Sequence, residues 1–368
     1  MTFVVVALLS ACGNKEIVRE TEPIYTPRHA QGFSIERDRA TGEVLLCVKN
    51  PWQGAEEIVY YSTLNTEKPV ERIVAMSSSY VAMLDAVGCS ERIVGVSGGR
   101  FISTPSVCKA FEEGRVAEVG YDSSFDFERI KSLRADVVLL YGLAGEAKTF
   151  TNKLDELGIP YIYIGDYLEN SPLGKAEWVV ALSYLCGVEE QGKAFFAGVE
   201  ERYNTLRNKQ HCSAYKPRVM LNLPYRDTWF MPSKESYMVR LIEDAGGEYI
   251  LTENGDFSTL NSQLSTKSTP ISLEEALVLA LRADFWLNLG QVASLAELKA
   301  TAPRFAEVDA VKFSRIYNNT KRTKEGGSDF WESGAVRPDL ILEDLIKILH
   351  YEAPTDSLYY YKKLGDRS

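Results

Sequence analysis

What most constrains this chain is a rhythm. Short apolar, β-branched runs, ERIVAMSS, ERIVGVSGG, ADVVLLYG and IPYIYIG, recur from Glu71 to Gly165 and are separated by helix-like stretches such as Ser79–Gly88 and Phe127–Leu133. Strands that alternate with helices need crossover connections, and so imply a mainly parallel sheet. The rhythm stops after Ser171-Pro172, a suitable cap and first helical residue. Helix is expected from there to Cys186, a pause at Gly187, and helix again from Glu189 to about Asn208, with Phe195, Val199, Tyr203 and Leu206 on one face. At about 1.5 Å per residue, roughly 20 residues extend about 30 Å, enough to run along a small domain. Beyond it KPRVMLNLPY, RADFWLNLGQ and SRIYNNT restore the strand pattern.

Ahead of this body, Phe33 to Trp52 places two β-prone runs around Asp38–Gly42, and Ile58–Leu64 supplies a third, so a small β-meander is expected. Lys15 to Arg28 mixes charges with two prolines and shows no sustained period, which reads as a tether. At the start, Phe3 to Leu9 is apolar but far shorter than the roughly 20 residues needed to span a bilayer. Leu9-Ser10-Ala11-Cys12 resembles the lipobox of bacterial lipoproteins, although no Lys or Arg precedes the run. That resemblance implies a removed signal peptide and lipidation of Cys12, anchoring the protein to a membrane without spanning it. The expected organisation is signal peptide 1–11, tether 12–28, N-terminal β extension 29–70, first α/β lobe 71–170, helical linker 171–210 and second α/β lobe 211–368. The fold class is α/β, with two Rossmann-like lobes joined by one long rigid helix and a small N-terminal β extension.

The formal net charge of -10 disfavours nucleic acid, because phosphate binding draws on clustered Lys and Arg. Of the six cysteines, Cys47, Cys89, Cys108, Cys186 and Cys212 remain once Cys12 is lipidated; they are widely spaced, with no CxxC, which argues against a disulfide framework. No His, Cys and carboxylate cluster has the spacing of a metal site. Gly95-Val96-Ser97-Gly98-Gly99 fits the G-x-S-x-G elbow, but Gly98 to Ser106 is helix-poor and contains Pro105, whereas an elbow needs a helix straight after the serine. Gly187 to Ala194 nearly completes a phosphate loop, yet it has Ala194 in place of the metal-binding hydroxyl and follows no strand, so it reads as a helix break.

From Glu71 to His350 the chain resembles the periplasmic binding proteins that deliver iron chelates, haem or cobalamin to ABC importers. Arg72–Met76, the helix ending at Gly88 and Glu91–Val96 look like that family's opening strand, helix and strand; Phe127–Ile130 through Ala135–Leu139 is similar to a further family segment, with Ala135 replacing the usual proline. Lys234-Glu235-Ser236 with Ala245-Gly246-Gly247, and Trp331–Gly334 with Arg337-Pro338-Asp339, match its later turns. The meander, IYNNTKR and GGSDFWESG resemble a lipoprotein branch associated with iron complexes. The resemblance implies a non-enzymatic, lipid-anchored receptor at the periplasmic or outer face of a bacterial membrane. Its partners would be an ABC permease dimer with ATPase subunits, a small-molecule iron complex (ferric siderophore or haem), and the lipid membrane reached through the Cys12 acyl chains. No resident cofactor is expected. Cobalamin or another corrinoid is the alternative ligand, and a lipid-anchored serine hydrolase built on Ser97 is the reading from another class.

Ligands of open α/β sheets sit outside the carboxyl ends of strands. There the chain places Tyr80, Tyr121, Tyr141, Tyr225, Trp229 and Trp331, able to pack on a flat catecholate or macrocycle, with Arg100, Arg226 and Arg322 for an anionic chelate and Asn288, Gln291 and Asn319 for hydrogen bonding. The resemblance also puts Glu128 and Glu274 at the two glutamates that dock onto the permease. Both fall in the first turn of a helix, where a carboxylate also suits the helix dipole, and Ser272 with Glu275 has the spacing of a capping box.

Overall fold

Two sheets of short, mainly parallel strands organise the chain. The computed structural model describes residues 5–6, 19–52, 54–55, 58–65, 67–121, 124–142, 147–210, 215–250 and 268–365; Cys12 and Cys212 lie outside the described residues. The chain divides into two compact units, Met1–Gly198 with Trp331–Val336, and Val199–Phe330 with Arg337–Ser368.

In the first unit the strands Ile73–Ala75, Ile93–Val96, Ala117–Glu118, Val137–Leu140 and Tyr161–Tyr163 pair in parallel. Numbered along the chain, they lie in the order 3-2-1-4-5. The central Ile73–Ala75 and the neighbouring Val137–Leu140 are buried along their whole length, as expected for parallel strands covered on both faces. The order reverses direction between these two, and in open sheets of this kind ligands bind outside the carboxyl ends at such a point.

The helix Pro172–Leu185 begins on Ser171, whose hydroxyl accepts the Gly174 amide at 3.2 Å. It ends at Gly187, held at φ 66°, a left-handed conformation that costs glycine least. The second helix, Glu189–Gln210, then runs for 22 residues and carries the chain from one unit into the other. Its buried residues include Gly192 and Phe196 in the first unit and Val199 and Tyr203 in the second. The inward aromatic of the first turns is thus Phe196, where periodicity alone pointed to Phe195. Gly192 is needed because a Cβ there would come within 2.3 Å of the Ser183 side chain.

The N-terminal meander is present, with Phe33–Asp38, Val44–Lys49 and Ile58–Leu64 antiparallel in sequence order. The stretch expected to be tether departs from that reading: from Arg19 it is built in, and Thr21–Tyr25 adds a further antiparallel strand. Two buried glutamates fix it. Glu177 accepts hydrogen bonds from the Tyr25 hydroxyl at 2.7 Å and from the amides of Arg28, His29 and Ala30 at 2.9, 2.8 and 2.8 Å. Glu169 takes the amides of Gln31 and Gly32 and the Trp178 indole N–H. Phe33 packs against Trp178 with ring centroids 4.8 Å apart. At the other side of the meander, Trp52 and Tyr60 pack on Tyr163, and Tyr60 also on Tyr161, so the edge of the parallel sheet is covered.

The second unit orders its strands differently. Arg218–Leu221, Glu248–Tyr249, Phe285–Leu287, Ile316–Asn318 and Lys362–Lys363 lie in the order 2-1-3-4-5, parallel except for the last. A separate antiparallel pair is formed by Thr228–Pro232 and Ser268–Ser272, strands that lie on either side of the helix Tyr237–Asp244 in the chain. The helix Pro338–Tyr351 packs against Tyr237–Asp244, joined by the His350 ring to the Ala245 carbonyl at 2.8 Å. From this helix the buried Asp344 receives the amides of Tyr359, Tyr360 and Tyr361. The direction change here falls between Arg218–Leu221 and Phe285–Leu287.

Candidate functional site

In the first unit the second strand runs into Ser97, Gly98 and Gly99. Gly98 sits at φ 68°, and a Cβ on it would meet the Tyr121 ring at 2.8 Å. The loop is held by Glu118, which accepts the Gly98 and Gly99 amides at 3.0 and 2.7 Å. Arg100 follows, exposed, with its guanidinium 4.4 Å from the Phe101 ring centre. Tyr121, 57% exposed, packs on the same ring at 5.2 Å. An exposed cation and an exposed aromatic are thus presented together at the carboxyl end of the sheet.

Trp331 joins this face through a clamp. Its neighbour Glu332 is 1% exposed and accepts the Ser103 amide at 2.8 Å and the Thr104 amide and hydroxyl at 2.7 and 2.5 Å. The chain segment carrying Trp331, 52% exposed, is therefore tied to the end of the Arg100 loop. Tyr141 ends the fourth strand, half-buried, beside the direction change of the sheet. Tyr80 does not belong to the face: it is fully buried and donates its hydroxyl to the Ile164 carbonyl at 3.1 Å. Ser77 caps the helix Ser78–Ala86, whose first turns therefore enter the core.

Ser97 is followed by the short turn Gly99–Phe101 and then Ile102 to Thr104 before the next helix, Pro105–Glu112. The helix that a nucleophile elbow requires is missing at the serine. A separate cleft of about 450 Å³ in this unit is lined by Tyr60, Asp136, Asp155, Pro160 and Tyr161. Asp136 and Pro160 precede their strands, so this cleft lies at the amino ends, away from the carboxyl-end face of Arg100 and Tyr121.

In the second unit Tyr225 and Thr228 exchange backbone hydrogen bonds at 2.8 and 3.1 Å across a tight turn in which Arg226 takes φ 55°. Arg226 lies 5.2 Å from the ring centre of Tyr225, which is 64% exposed. Among the described residues neither Arg100 nor Arg226 pairs with a carboxylate. Asn222 and Asn288, at the ends of the first and third strands, are also left-handed, at φ 68° and 63°. Non-glycine residues in that region gather at strained functional turns. Asn318 donates its amide to the Gly290 and Val292 carbonyls at 2.8 and 3.0 Å, which fixes the loop bearing the exposed Gln291.

Besides Tyr80, three further expected contacts have other occupations. Trp229 is fully buried, donates to the Leu221 carbonyl at 3.0 Å and packs with Trp286 and Phe305, so it is a core residue. Asn319 is 6% exposed, and its carbonyl accepts the Ser328 hydroxyl. Arg322 is paired with Asp329 at 2.5 Å and stacks 4.6 Å from the Tyr359 ring centre. Sequence reasoning passed over Glu118, Glu332 and Phe101. Only Phe101 had a signal, an aromatic next to the glycine turn; the two glutamates act on backbone amides, which every residue but proline carries.

Glu128 and Glu274 are exposed in the first turns of Phe127–Ser132 and Leu273–Ala280. Asp126 caps the first helix through the Arg129 amide and Ser272 the second through the Glu275 amide, so neither cap uses Glu128 or Glu274. Glu274 meets Arg304 at 2.8 Å on the surface. Among the described residues no group of three or more His, Cys, Asp or Glu is placed to hold a metal ion, and no helix is long and apolar enough to cross a membrane.

Comparison with known proteins agrees with this architecture. The chain is 28% identical over 296 residues to an uncharacterized lipoprotein of Methanocaldococcus jannaschii, covering 77% of this chain and 66% of that protein, so it spans just under two thirds of that relative's length. A periplasmic heme binding protein from Pseudomonas aeruginosa superposes with a TM-score of 0.59 at 17% identity, over 81% of this chain and 99% of the other. The periplasmic vitamin B12 binding protein of Vibrio cholerae gives 0.53 at 16% identity, over 76% and 96%. At such identities these two likenesses speak for the fold. The family model for periplasmic binding protein, which describes binding proteins and not enzymes, matches residues 73–323. The chain belongs to the periplasmic binding protein family.

Proposed function

We propose that this protein is the extracytoplasmic substrate-binding component of an ABC importer, held to the membrane by acyl chains on Cys12, and that it captures an anionic iron complex, a ferric siderophore or haem, for delivery to the permease. The observation that carries the reading is the repeated pairing of an aromatic ring with an arginine that meets no carboxylate among the described residues, Arg100 on Phe101 and Arg226 on Tyr225, at the strand ends of each unit. A guanidinium held over a ring keeps its donors available for carboxylates or catecholate oxygens. The exposed rings of Tyr121, Tyr225 and Trp331 supply flat apolar area for a planar ligand. Tyr141 and Gln291 complete the two faces. Glu128 and Glu274, one per unit and free of capping duty, are the permease contacts.

The test is titration of purified protein with haemin, a ferric catecholate and cyanocobalamin, followed by visible absorption. Binding of an anionic iron complex that weakens at least about tenfold in Arg100→Ala or Arg226→Ala, equivalent to about 1.4 kcal/mol, supports the reading. Binding of cyanocobalamin alone, insensitive to both substitutions, would replace it with the corrinoid reading.

A further inference from the structure

The sequence gives no reason to pair any cysteines, yet the fold brings two of them together. Cys89 closes the loop after the helix Ser78–Ala86 and precedes the short turn Ser90–Arg92, while Cys186 caps the C-terminal end of Pro172–Leu185. Their side chains lie against each other, the Cys89 thiol donating to the Val87 carbonyl at 3.7 Å, and both residues are buried, at 3% and 1% exposure. The backbones are fixed around this contact. The Cys89 amide donates to the Leu84 carbonyl at 2.8 Å, and the Cys186 amide to Leu182 at 3.1 Å. Arg92, whose amide bonds back to the Cys89 carbonyl at 3.0 Å, reaches across to donate to the carbonyls of Cys186 at 2.8 Å and Val70 at 2.9 Å. One guanidinium therefore ties the Cys89 turn to the end of the helix that bears Cys186. The other described cysteines are engaged elsewhere: Cys108 donates to the Ile102 carbonyl, and Cys47 meets Ser34 and Glu36.

We propose that Cys89 and Cys186 are a built disulfide site, closed by thiol–disulfide exchange with a small-molecule or protein disulfide of the extracytoplasmic space. The Cys89 thiolate attacks one sulfur of the oxidant RSSR and expels RS⁻, giving a mixed disulfide. Cys186 then loses its proton and attacks the Cys89 sulfur, expelling the second RS⁻. Two protein thiols and RSSR become one protein disulfide and two RSH, so the protein sulfurs are oxidised and the oxidant is reduced. The order of attack follows from the surroundings. The adjacent Cys186 thiol, helped by the Arg92 guanidinium and opposed by burial, lowers the Cys89 thiol from its ordinary range, while the same contact and burial push Cys186 up. Cys89 is the better thiolate and Cys186 the resolving partner. The bond would join the loop ahead of the second strand to the helix that receives the N-terminal extension, closing a long segment of the first unit and restricting its unfolded chain.

The occurrence of this bond in the cell rests on the extracytoplasmic reading above; its chemistry in purified protein does not, so the two fail separately. The full chain is refolded from denaturant in a reduced and oxidised glutathione buffer, which gives the oxidant access to thiols that later become buried. It is then alkylated and digested for mass spectrometry. The expected result is a cross-linked peptide pair joining Cys89 to Cys186, loss of those two alkylation sites, and a Tm higher by about 5–10 °C that reverts with dithiothreitol. Cys89→Ser and Cys186→Ser should each abolish both the cross-link and the dithiothreitol-sensitive shift, and Cys47→Ser should retain them. Folded protein in which both thiols remain alkylatable, or carry only glutathione, overturns the proposal, as does a cross-link to any other cysteine.

Discussion

Glu332→Gln tests whether the proposed ligand face of the first unit is set by one carboxylate. In the native protein one carboxylate oxygen accepts the Ser103 amide and the other accepts both the amide and the hydroxyl of Thr104. A glutamine that keeps its oxygen on Thr104 turns its NH2 towards the Ser103 N–H. One buried donor is left unmet, at about 1–3 kcal/mol, and the two surviving bonds lose charge assistance, about 1 kcal/mol each, so the loss is about 4 kcal/mol. At about 2–4 °C per kcal/mol for a unit of this size, the Tm of the variant should fall by about 8–16 °C. If about 1.4 kcal/mol of that must be recovered on binding to re-pin the loop, ligand affinity falls about tenfold. Scanning calorimetry reads the first effect and titration the second. Trp331 emission, isolated by comparison with Trp331→Phe, reports whether the adjoining segment has moved. Thr104→Val combined with Glu332→Gln should be less than additive by about 1 kcal/mol, because the Thr104 hydroxyl bond that Glu332→Gln weakens is the one that Thr104→Val removes. A Tm within about 2 °C of the parent together with unchanged Trp331 emission would refute the clamp.

The double variant Glu128→Ala/Glu274→Ala should bind ligand and melt like the parent but fail in uptake at equal abundance; normal uptake would leave both as surface carboxylates. Burial pushes the Asp284 carboxyl up, but the Arg218 amide and guanidinium and the Tyr215 hydroxyl outweigh it, so its folded value lies below the ordinary 3.8. Its stabilisation is therefore full above pH 3.8 and lost as pH falls through the folded value, so Asp284→Asn should flatten the stability curve below pH 3.8 in acid melts, and an unchanged acid limb would contradict this. Cys12→Ser should move the protein from the membrane to the soluble fraction without changing its Tm; equally tight membrane retention would place the anchor elsewhere.

Much of the scaffold was legible from local chemistry. Ile73–Ala75, Val137–Leu140 and Phe285–Leu287 are apolar runs that can satisfy their backbone and their side chains together only inside a parallel sheet. Gly187 announced the break between helices, and Ser171 and Ser272 announced helix starts, because a cap needs only its own neighbours. The candidate site was legible to the level of which strand ends to inspect. It was not legible residue by residue: Tyr80 and Trp229 have the same composition whether their polar tip meets a ligand or an Ile164 or Leu221 carbonyl.

The sequence by itself determined the succession of strands and helices, the placing of Arg100, Tyr121, Tyr225 and Arg226 beyond strand ends, and the family. Tertiary structure alone decided which carboxylates meet which amides. Glu177 and Glu169 convert an apparent tether into a docked strand, Glu118 and Glu332 hold the two ends of the Arg100 loop, and Asp344 holds Tyr359 to Tyr361. Each of these binds backbone N–H groups, which are present at nearly every residue and so leave no mark in a pattern of side chains. Burial strengthens Glu169, Glu177, Glu332 and Asp344 in this role, since a desolvated carboxylate must be met by donors, whereas Glu118 is exposed. The same limit hid Cys89 and Cys186, whose contact depends on where a turn and a helix end come to rest and on no spacing between them.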